Sequence, residues 1–330
     1  MRILLQVIAM TAAGLMLCLG GGKMHQRAAV QETTTAAELL VSTLYVLPAT
    51  ETESETTISL SLPDVIDVNE MCADHFFLYN VRKKEMVFCN TEVSEALYPA
   101  SITKLFSAWV ALQILSEDDI VKAGWELGML QPGSSSAFIA LDSRLTVEML
   151  IEGMLLPSGN DAALVLAAAV GRHLLQNQNA TARMAVAEFV AEMNRAAAAL
   201  GFRNSHFENP DGYHAPNHYS CPEDLARIAT LALDEPVIAR CMELQKDRVT
   251  FISGQTHVWE NTNRLINPES SYYCPDAVGM KTGYTASAGY CLMAAFGEEP
   301  LVVGIFGGKD SVSRYEIAVE LYAAWLSLRE

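Results

Sequence analysis

Three short segments carry the side chains that could do chemistry: Ser101-Ile-Thr-Lys104, Ser158-Gly159-Asn160 and Lys281-Thr282-Gly283, in that order along the chain. The first offers a hydroxyl nucleophile with an amine three residues on, which a helix would place on one face. A helix opening there also sets the Ser101 N–H among unpaired amides at the positive end of the dipole, where a developing oxyanion is favoured. An amine acts as a base only when neutral, and burial or a nearby cation such as Lys281 promotes that form. Alone, such a pair is more often a helix cap beside a solvated lysine.

Ser158-Gly159-Asn160 falls between two predicted helices, with Gly159 letting both polar side chains turn into a cleft. There Ser158 could relay a proton between Lys104 and a leaving amine, while Asn160 binds a substrate amide. The competing reading is a helix junction with Asn160 as its cap. Lys281-Thr282-Gly283 lies inside a predicted strand over 278–285. A glycine weakens a strand unless something must approach its backbone, and an extended substrate laid along the edge does so. Lys281 and Thr282 would face a carboxylate, and the Tyr284 backbone N–H would be a second oxyanion donor. Otherwise Lys281 is an ordinary exposed lysine of a hairpin.

Periodicity outlines the elements that must position these residues. Short β-type runs at 76–79 and 86–88 predict a hairpin. Pro99 suits a helix start, and Leu105, Trp109, Leu112 and Leu115 continue at helical spacing. Further helices are expected over 146–156, 161–170, 180–200 and 222–233, punctuated by Gly201, Pro210-Asp-Gly212 and Pro216. Strands follow over 249–252, 257–260, 278–285, 290–296 and 301–306, then a closing helix over 312–328. This order predicts an α+β fold, an antiparallel sheet flanked by helices with a mostly helical subdomain inserted.

The chain has 330 residues, 51% of them apolar, and a net charge of -17. That acidity argues against a nucleic-acid partner, which needs clustered Lys and Arg, and reads as solubility. Arg2 precedes an apolar stretch from Ile3 to about Gly22, so residues 1–23 are expected to be an export signal or an uncleaved N-terminal anchor in the cytoplasmic membrane. Leu15-Met-Leu-Cys18 resembles a lipoprotein box only faintly, since Leu17 is bulky where a small residue is wanted. Either reading puts the remainder outside the cytoplasm, secreted or anchored to the outer face of the membrane. Residues 24–68, rich in Thr and Glu, read as an acidic linker, which leaves 69–330 as the catalytic domain. Six further cysteines (Cys72, Cys89, Cys221, Cys241, Cys274, Cys291) permit disulfides in fifteen pairings, and none has zinc-site spacing. No metal or cofactor is expected.

Several blocks carry a resemblance: Tyr98-Pro-Ala-Ser-Ile-Thr-Lys104, Asn209-Pro210, Asn261-Thr-Asn263, the run from Gly279 to Tyr290, and Gly307-Gly308 followed by Arg314. Over about 76–325 the sequence resembles the low-molecular-weight penicillin-binding proteins of the serine D-alanyl-D-alanine carboxypeptidase family. The resemblance implies a β-lactamase/penicillin-binding transpeptidase-like fold. It also implies that Ser101 is acylated by a peptidoglycan stem peptide ending in D-Ala-D-Ala, that β-lactams are covalent inhibitors, and that Arg314 helps bind the terminal carboxylate. Many relatives add a second β domain and a C-terminal amphipathic helix, whereas here the closing helix is expected to end the domain and the N-terminus to serve as anchor. Three alternatives compete. A class A-like β-lactamase needs a deacylating Glu in a Glu-x-x-Leu-Asn block, and Glu192-Met-Asn-Arg is a poor substitute. A non-catalytic peptidoglycan-binding protein would not need the whole constellation. A zinc hydrolase using His214 and His218 would need a helix that Ala-Pro-Asn between them disfavours.

Overall fold

Alternation along the first strand sets the two faces of the main sheet. In the computed structural model, which describes residues 67, 70–298 and 300–329, β1 (His75–Asn80) and β2 (Glu85–Cys89) form the expected hairpin. Successive side chains of a strand point to opposite faces. Phe76 and Leu78 therefore enter one apolar cluster, while Tyr79 meets Thr230 and Arg227 on the other side. The expected export segment and nearly all of the linker lie outside the described residues, as does Cys18.

After the hairpin the chain passes through α1 (Thr103–Leu112), the short strands β3 (Ile120–Lys122) and β4 (Arg144–Thr146), and then α2 (Val147–Leu155), α3 (Asn160–Leu174) and α4 (Ala182–Ala199). It continues with α5 (Pro222–Asp234), α6 (Pro236–Glu243), and the hairpin of β5 (Lys246–Thr250) and β6 (Thr256–Glu260). Strands β7 (Ala277–Thr285), β8 (Gly289–Phe296) and β9 (Leu301–Gly308) and the closing helix α7 (Ser313–Ser327) complete it. The main sheet has the order β2-β1-β9-β8-β7, antiparallel throughout. Helix α7 packs its Tyr315, Ile317, Ala318 and Leu321 into the cluster with Phe76, Leu292 and Val303. Helix α5 packs against β1, β2 and β9, and α6 against β7. This is the α+β arrangement expected, with the helices from α1 to α6 inserted between the second and third strands of the main sheet.

Three local differences have physical causes. The strands expected near 249–252 and 257–260 form a separate hairpin instead of joining the main sheet. Lys246, Asp247 and Arg248 are exposed there, and such a strand has no apolar face to bury. Helix α6 is only eight residues long, and its stripe of Val237, Ile238, Cys241 and Met242 is too short to give a clear period. Ser101 does not open an α-helix but sits in a 3-10 turn over Ala100–Ile102, one turn ahead of α1. Among the described residues no helix is long and apolar enough to cross a membrane.

The loop that supports this turn depends on one glycine. Gly212 has φ +79°, and a Cβ there would stand 1.8 Å from the Ala100 carbonyl oxygen. Gly201 has a similar φ, +74°, with open space around it. Gly201→Ala should therefore show only the left-handed backbone cost, about 1 kcal/mol. Gly212→Ala adds overpacking against backbone and should cost upwards of about 3 kcal/mol. Urea unfolding of the two variants checks the difference, and equal losses would show that the Ala100 contact is readily relieved.

Candidate active site

Lys104 is the point where three distant segments meet. It is 0% exposed on α1, a helix buried along nearly its whole length. Its Nζ lies 2.8 Å from Ser101 Oγ, 2.7 Å from Asn160 Oδ1 and 2.9 Å from the Asp211 carbonyl oxygen. Burial lowers its pKa to about 8, against the opposing pull of the Asp211 and Asp161 carboxylates. Of the two causes the sequence suggested, burial and a neighbouring cation, burial is the larger at Lys104. The carbonyl is held by a tight loop: Asn209 Oδ1 accepts from Gly212 N, Asn209 Nδ2 donates to the Tyr213 carbonyl, and Ser107 Oγ donates to the Pro210 carbonyl.

Asn160 opens α3, and the residue after it fixes the facing loop. Asp161 is 1% exposed and accepts from Ser136 Oγ at 2.6 Å and from the backbone N–H groups of Ala137, Ile139 and Ala162 at 2.8–3.0 Å. Four bonds to one buried carboxylate make a strong clamp. The clamped loop in turn holds the second motif, because Ser135 Oγ donates to the Ser158 carbonyl and Asn160 Nδ2 donates to Ser134 Oγ. A Cβ at Gly159 would stand 2.6 Å from Asp161 Oδ1 and 2.8 Å from Ala137 N, so this close approach requires glycine. Ser158 is 8% exposed with φ 61°, and its hydroxyl makes no hydrogen bond to Lys104.

The third motif lies on β7, the edge strand, beside the nucleophile. A Cβ on Gly283 would come within 3.0 Å of the Ser101 backbone nitrogen, so the strand passes directly against that turn. Lys281 is 0% exposed, and its Nζ donates to the Thr282 carbonyl at 2.9 Å. Burial, with repulsion from Lys104 and Arg314, pushes its pKa well below that of an ordinary lysine. The Thr282 hydroxyl lies 2.6 Å from that of Thr262. Tyr284 is 56% exposed, with its ring 4.4 Å from that of Tyr290. Arg314, on α7, donates through Nη1 to the Gly283 and Cys291 carbonyls and through Nη2 to the Tyr315 hydroxyl. Its guanidinium also lies over the rings of Tyr290 and Tyr315.

The three motifs thus come together around Ser101, through Lys104 Nζ to Asn160 and through the close approach of Gly283, whose carbonyl is bonded by Arg314. The sequence reading missed Asp161, the Asp211 carbonyl and the loop serines 134–136, and it quoted Thr262 within the Asn261-Thr-Asn263 block without giving it a role. Only Asp161 had a local signal, as a carboxylate in the first turn of a helix beside a motif. The two histidines considered for zinc go elsewhere. His218 Nε2 lies 2.9 Å from Thr103 Oγ1, and its Nδ1 accepts from Glu208 N. Burial pushes its pKa to about 3, so the ring is neutral packing, while His214 sits edge-on to Tyr98. Glu192 is paired with Arg195 on α4. The six cysteines among the described residues are free thiols.

Comparison with known proteins bears on this cleft directly. The family model described as D-alanyl-D-alanine carboxypeptidase matches residues 65–304, which include all three motifs. The DacF D-alanyl-D-alanine carboxypeptidase of Bacillus subtilis is 29% identical over 233 residues, 69% of this chain and 56% of that protein. A Streptomyces D-alanyl-D-alanine carboxypeptidase is 33% identical over 166 residues, 49% of this chain and 53% of that one. The chain spans about half the length of these curated relatives. Among solved structures, the Streptomyces K15 DD-transpeptidase superposes with a TM-score of 0.69 at 26% identity, covering 78% of this chain and 98% of that one. Penicillin-binding protein 6B of Escherichia coli gives 0.66 at 26% identity, over 83% and 81%. With the family match running over most of its length, the chain belongs to the D-alanyl-D-alanine carboxypeptidase family.

Proposed function

We propose that the protein is a serine D-alanyl-D-alanine carboxypeptidase, which removes the terminal D-Ala from peptidoglycan stem peptides through an acyl-enzyme on Ser101. The observation that carries this reading is the bonding around Lys104. Two of its three neighbours, Asn160 Oδ1 and the Asp211 carbonyl, can only accept. A neutral amine has two N–H donors, which those oxygens take, and its lone pair then points at the Ser101 hydroxyl. A buried amine with a pKa near 8 spends an appreciable fraction of its time in that form at neutral pH.

In this mechanism Lys104 takes the Ser101 proton as Oγ bonds to the scissile carbonyl carbon. The oxyanion is received by the Ser101 and Tyr284 N–H groups, on either side of the close approach at Gly283. Ser158 passes the proton to the leaving nitrogen once substrate fills the cleft, and Asn160 holds the adjoining amide. The C–N bond breaks, D-Ala leaves, and water attacks the ester to regenerate the Ser101 hydroxyl. Lys281, Thr282 and Gly283 bind the terminal carboxylate with the help of Arg314, which also donates to the Gly283 carbonyl. A β-lactam would follow the same path to the ester, but its leaving nitrogen stays tethered, so the adduct persists. The family match and the absence of a Glu-x-x-Leu-Asn block after the second motif favour this over a class A-like β-lactamase. We further assign residues 1–23 to export or anchoring, 24–68 to a linker and 69–330 to the catalytic domain, working outside the cytoplasm, either secreted or anchored to the outer face of the membrane.

Incubation with benzylpenicillin should add one penicillin mass per chain, and Ser101→Ala should abolish the adduct. Intact-mass spectrometry reads both, and an unmodified, folded wild-type protein would falsify the assignment. The pH dependence follows from Lys104, whose pKa lies below the ordinary lysine value, so the active neutral amine accumulates as pH rises through about 8. The rate of acylation should therefore climb about tenfold per pH unit well below 8 and level off above it. A profile flat between pH 6 and 9 would remove Lys104 from the role of base.

A further inference from the structure

The Asn261-Thr262-Asn263 segment holds one side chain that stability does not explain. Both asparagines are engaged with backbone: Asn261 Nδ2 donates to the Leu244 carbonyl, and Asn263 Nδ2 donates to the Gly279 carbonyl within β7. Asn263 Oδ1 accepts from Leu265 N. Between them, Thr262 N donates to the Leu156 carbonyl at 3.1 Å, and the Thr262 carbonyl accepts from the buried Tyr315 hydroxyl at 2.9 Å. Thr262 is thus held by Leu156, at the end of α2, on one side and from α7 on the other. Its side chain is nevertheless exposed, and among the described residues its hydroxyl meets one partner, the Thr282 hydroxyl at 2.6 Å.

We propose that Thr262 is a positioning residue for carboxylate recognition, acting by fixing the direction in which Thr282 donates its proton. The inference rests on the proposed reading of Lys281 and Thr282 as the carboxylate site. A hydroxyl has one proton to give, and two adjacent hydroxyls can share their bond in either direction. A carboxylate can only accept, so Thr282 must donate to it. Thr282 Oγ1 is then free to accept, and Thr262 supplies the donor. The resulting chain, Thr262 to Thr282 to carboxylate, is polarised along its length by the charge at its end. The β-branched side chain of Thr262 has few rotamers, and its clamped backbone restricts them further.

Binding in a Ser101→Ala background tests this without requiring acyl transfer. The probes are an N-acyl-D-Ala-D-Ala peptide and its C-terminal amide, measured by calorimetry. Thr262→Val should weaken the free acid about tenfold and leave the amide unchanged, whereas Thr262→Ser should stay within about twofold of the parent. In a Thr282→Val background the Thr262→Val change should add nothing, because the chain has already lost its middle member. The proposal is overturned if Thr262→Val binds the acid as the parent does, weakens acid and amide alike, or has an additive effect in the Thr282→Val background. Absence of any binding by the parent also overturns it. Failure of penicillin to acylate wild-type Ser101, with acid binding still dependent on Thr262, would instead overturn the proposed reaction and leave the carboxylate site standing.

Discussion

The site depends on a lysine amine kept out of water and held by two carbonyl oxygens. Removing a cation from water is expensive unless its donors are satisfied, and Lys104 is satisfied by groups from three parts of the chain: Ser101 on its own turn, Asn160 at the start of α3, and the Asp211 carbonyl. Each of those groups needs its own support. The Asp211 carbonyl depends on the loop that Asn209 closes and Gly212 allows to pack against Ala100. Asn160 depends on Asp161, whose carboxylate organises the facing loop. The helical insertion therefore does more than cover the sheet. It delivers two acceptors to an amine that has no water to turn to.

A second buried lysine, Lys281, lies on the strand that passes against the Ser101 turn. Lys281 has no carboxylate partner among the described residues, and burial with the charges of Lys104 and Arg314 holds its pKa well down. A carboxylate docking beside it would supply the missing counter-charge, so binding should draw a proton onto Lys281. Arg314, which the resemblance gives to the terminal carboxylate, is also bonded within the protein. Its Nη atoms are committed to the Gly283 and Cys291 carbonyls and the Tyr315 hydroxyl, while its Nε is buried without a partner. It braces two strands from below and adds positive potential, and through Tyr315 it reaches the Thr262 carbonyl.

What the sequence made legible divides along physical lines. Ser101 and Lys104 are readable because three-residue spacing brings side chains together in a 3-10 turn as in an α-helix. Strands β7, β8 and β9 are readable because they are long, apolar and separated by glycine-containing turns. The separate β5–β6 hairpin was not, since pattern identifies a strand without naming the sheet it joins. The roles of side chains that hold backbone were not legible either. Asp161 and Asn209, the latter noted only within a family block, look like ordinary cap and loop residues until the groups they bind are seen. The Asp211 contribution is a main-chain carbonyl, to which residue type says nothing.

Backbone strain shows the same limit and explains why so many clamps gather here. Ala100, Ser158 and Met280 all have positive φ, at 49°, 61° and 83°, and each stands at or immediately before one of the three motifs. Such conformations cost on the order of 1–3 kcal/mol each and persist only where the surroundings over-determine them. At Ala100 the constraint is the packed backbone of Gly212 and Gly283. Ser158 is held by the bond from Ser135 to its carbonyl. Met280 follows Gly279, whose carbonyl is taken by Asn263, at an irregularity in the β7–β8 pairing. No residue type announces these conformations, because none of the three is a glycine. Each falls where a motif begins: before the Ser101 turn, at Ser158 itself, and one residue before Lys281 at the break in the β7–β8 pairing. Relaxed turns would place the same residues in the same neighbourhood, but without the orientation that the proposed base and the proposed carboxylate site require.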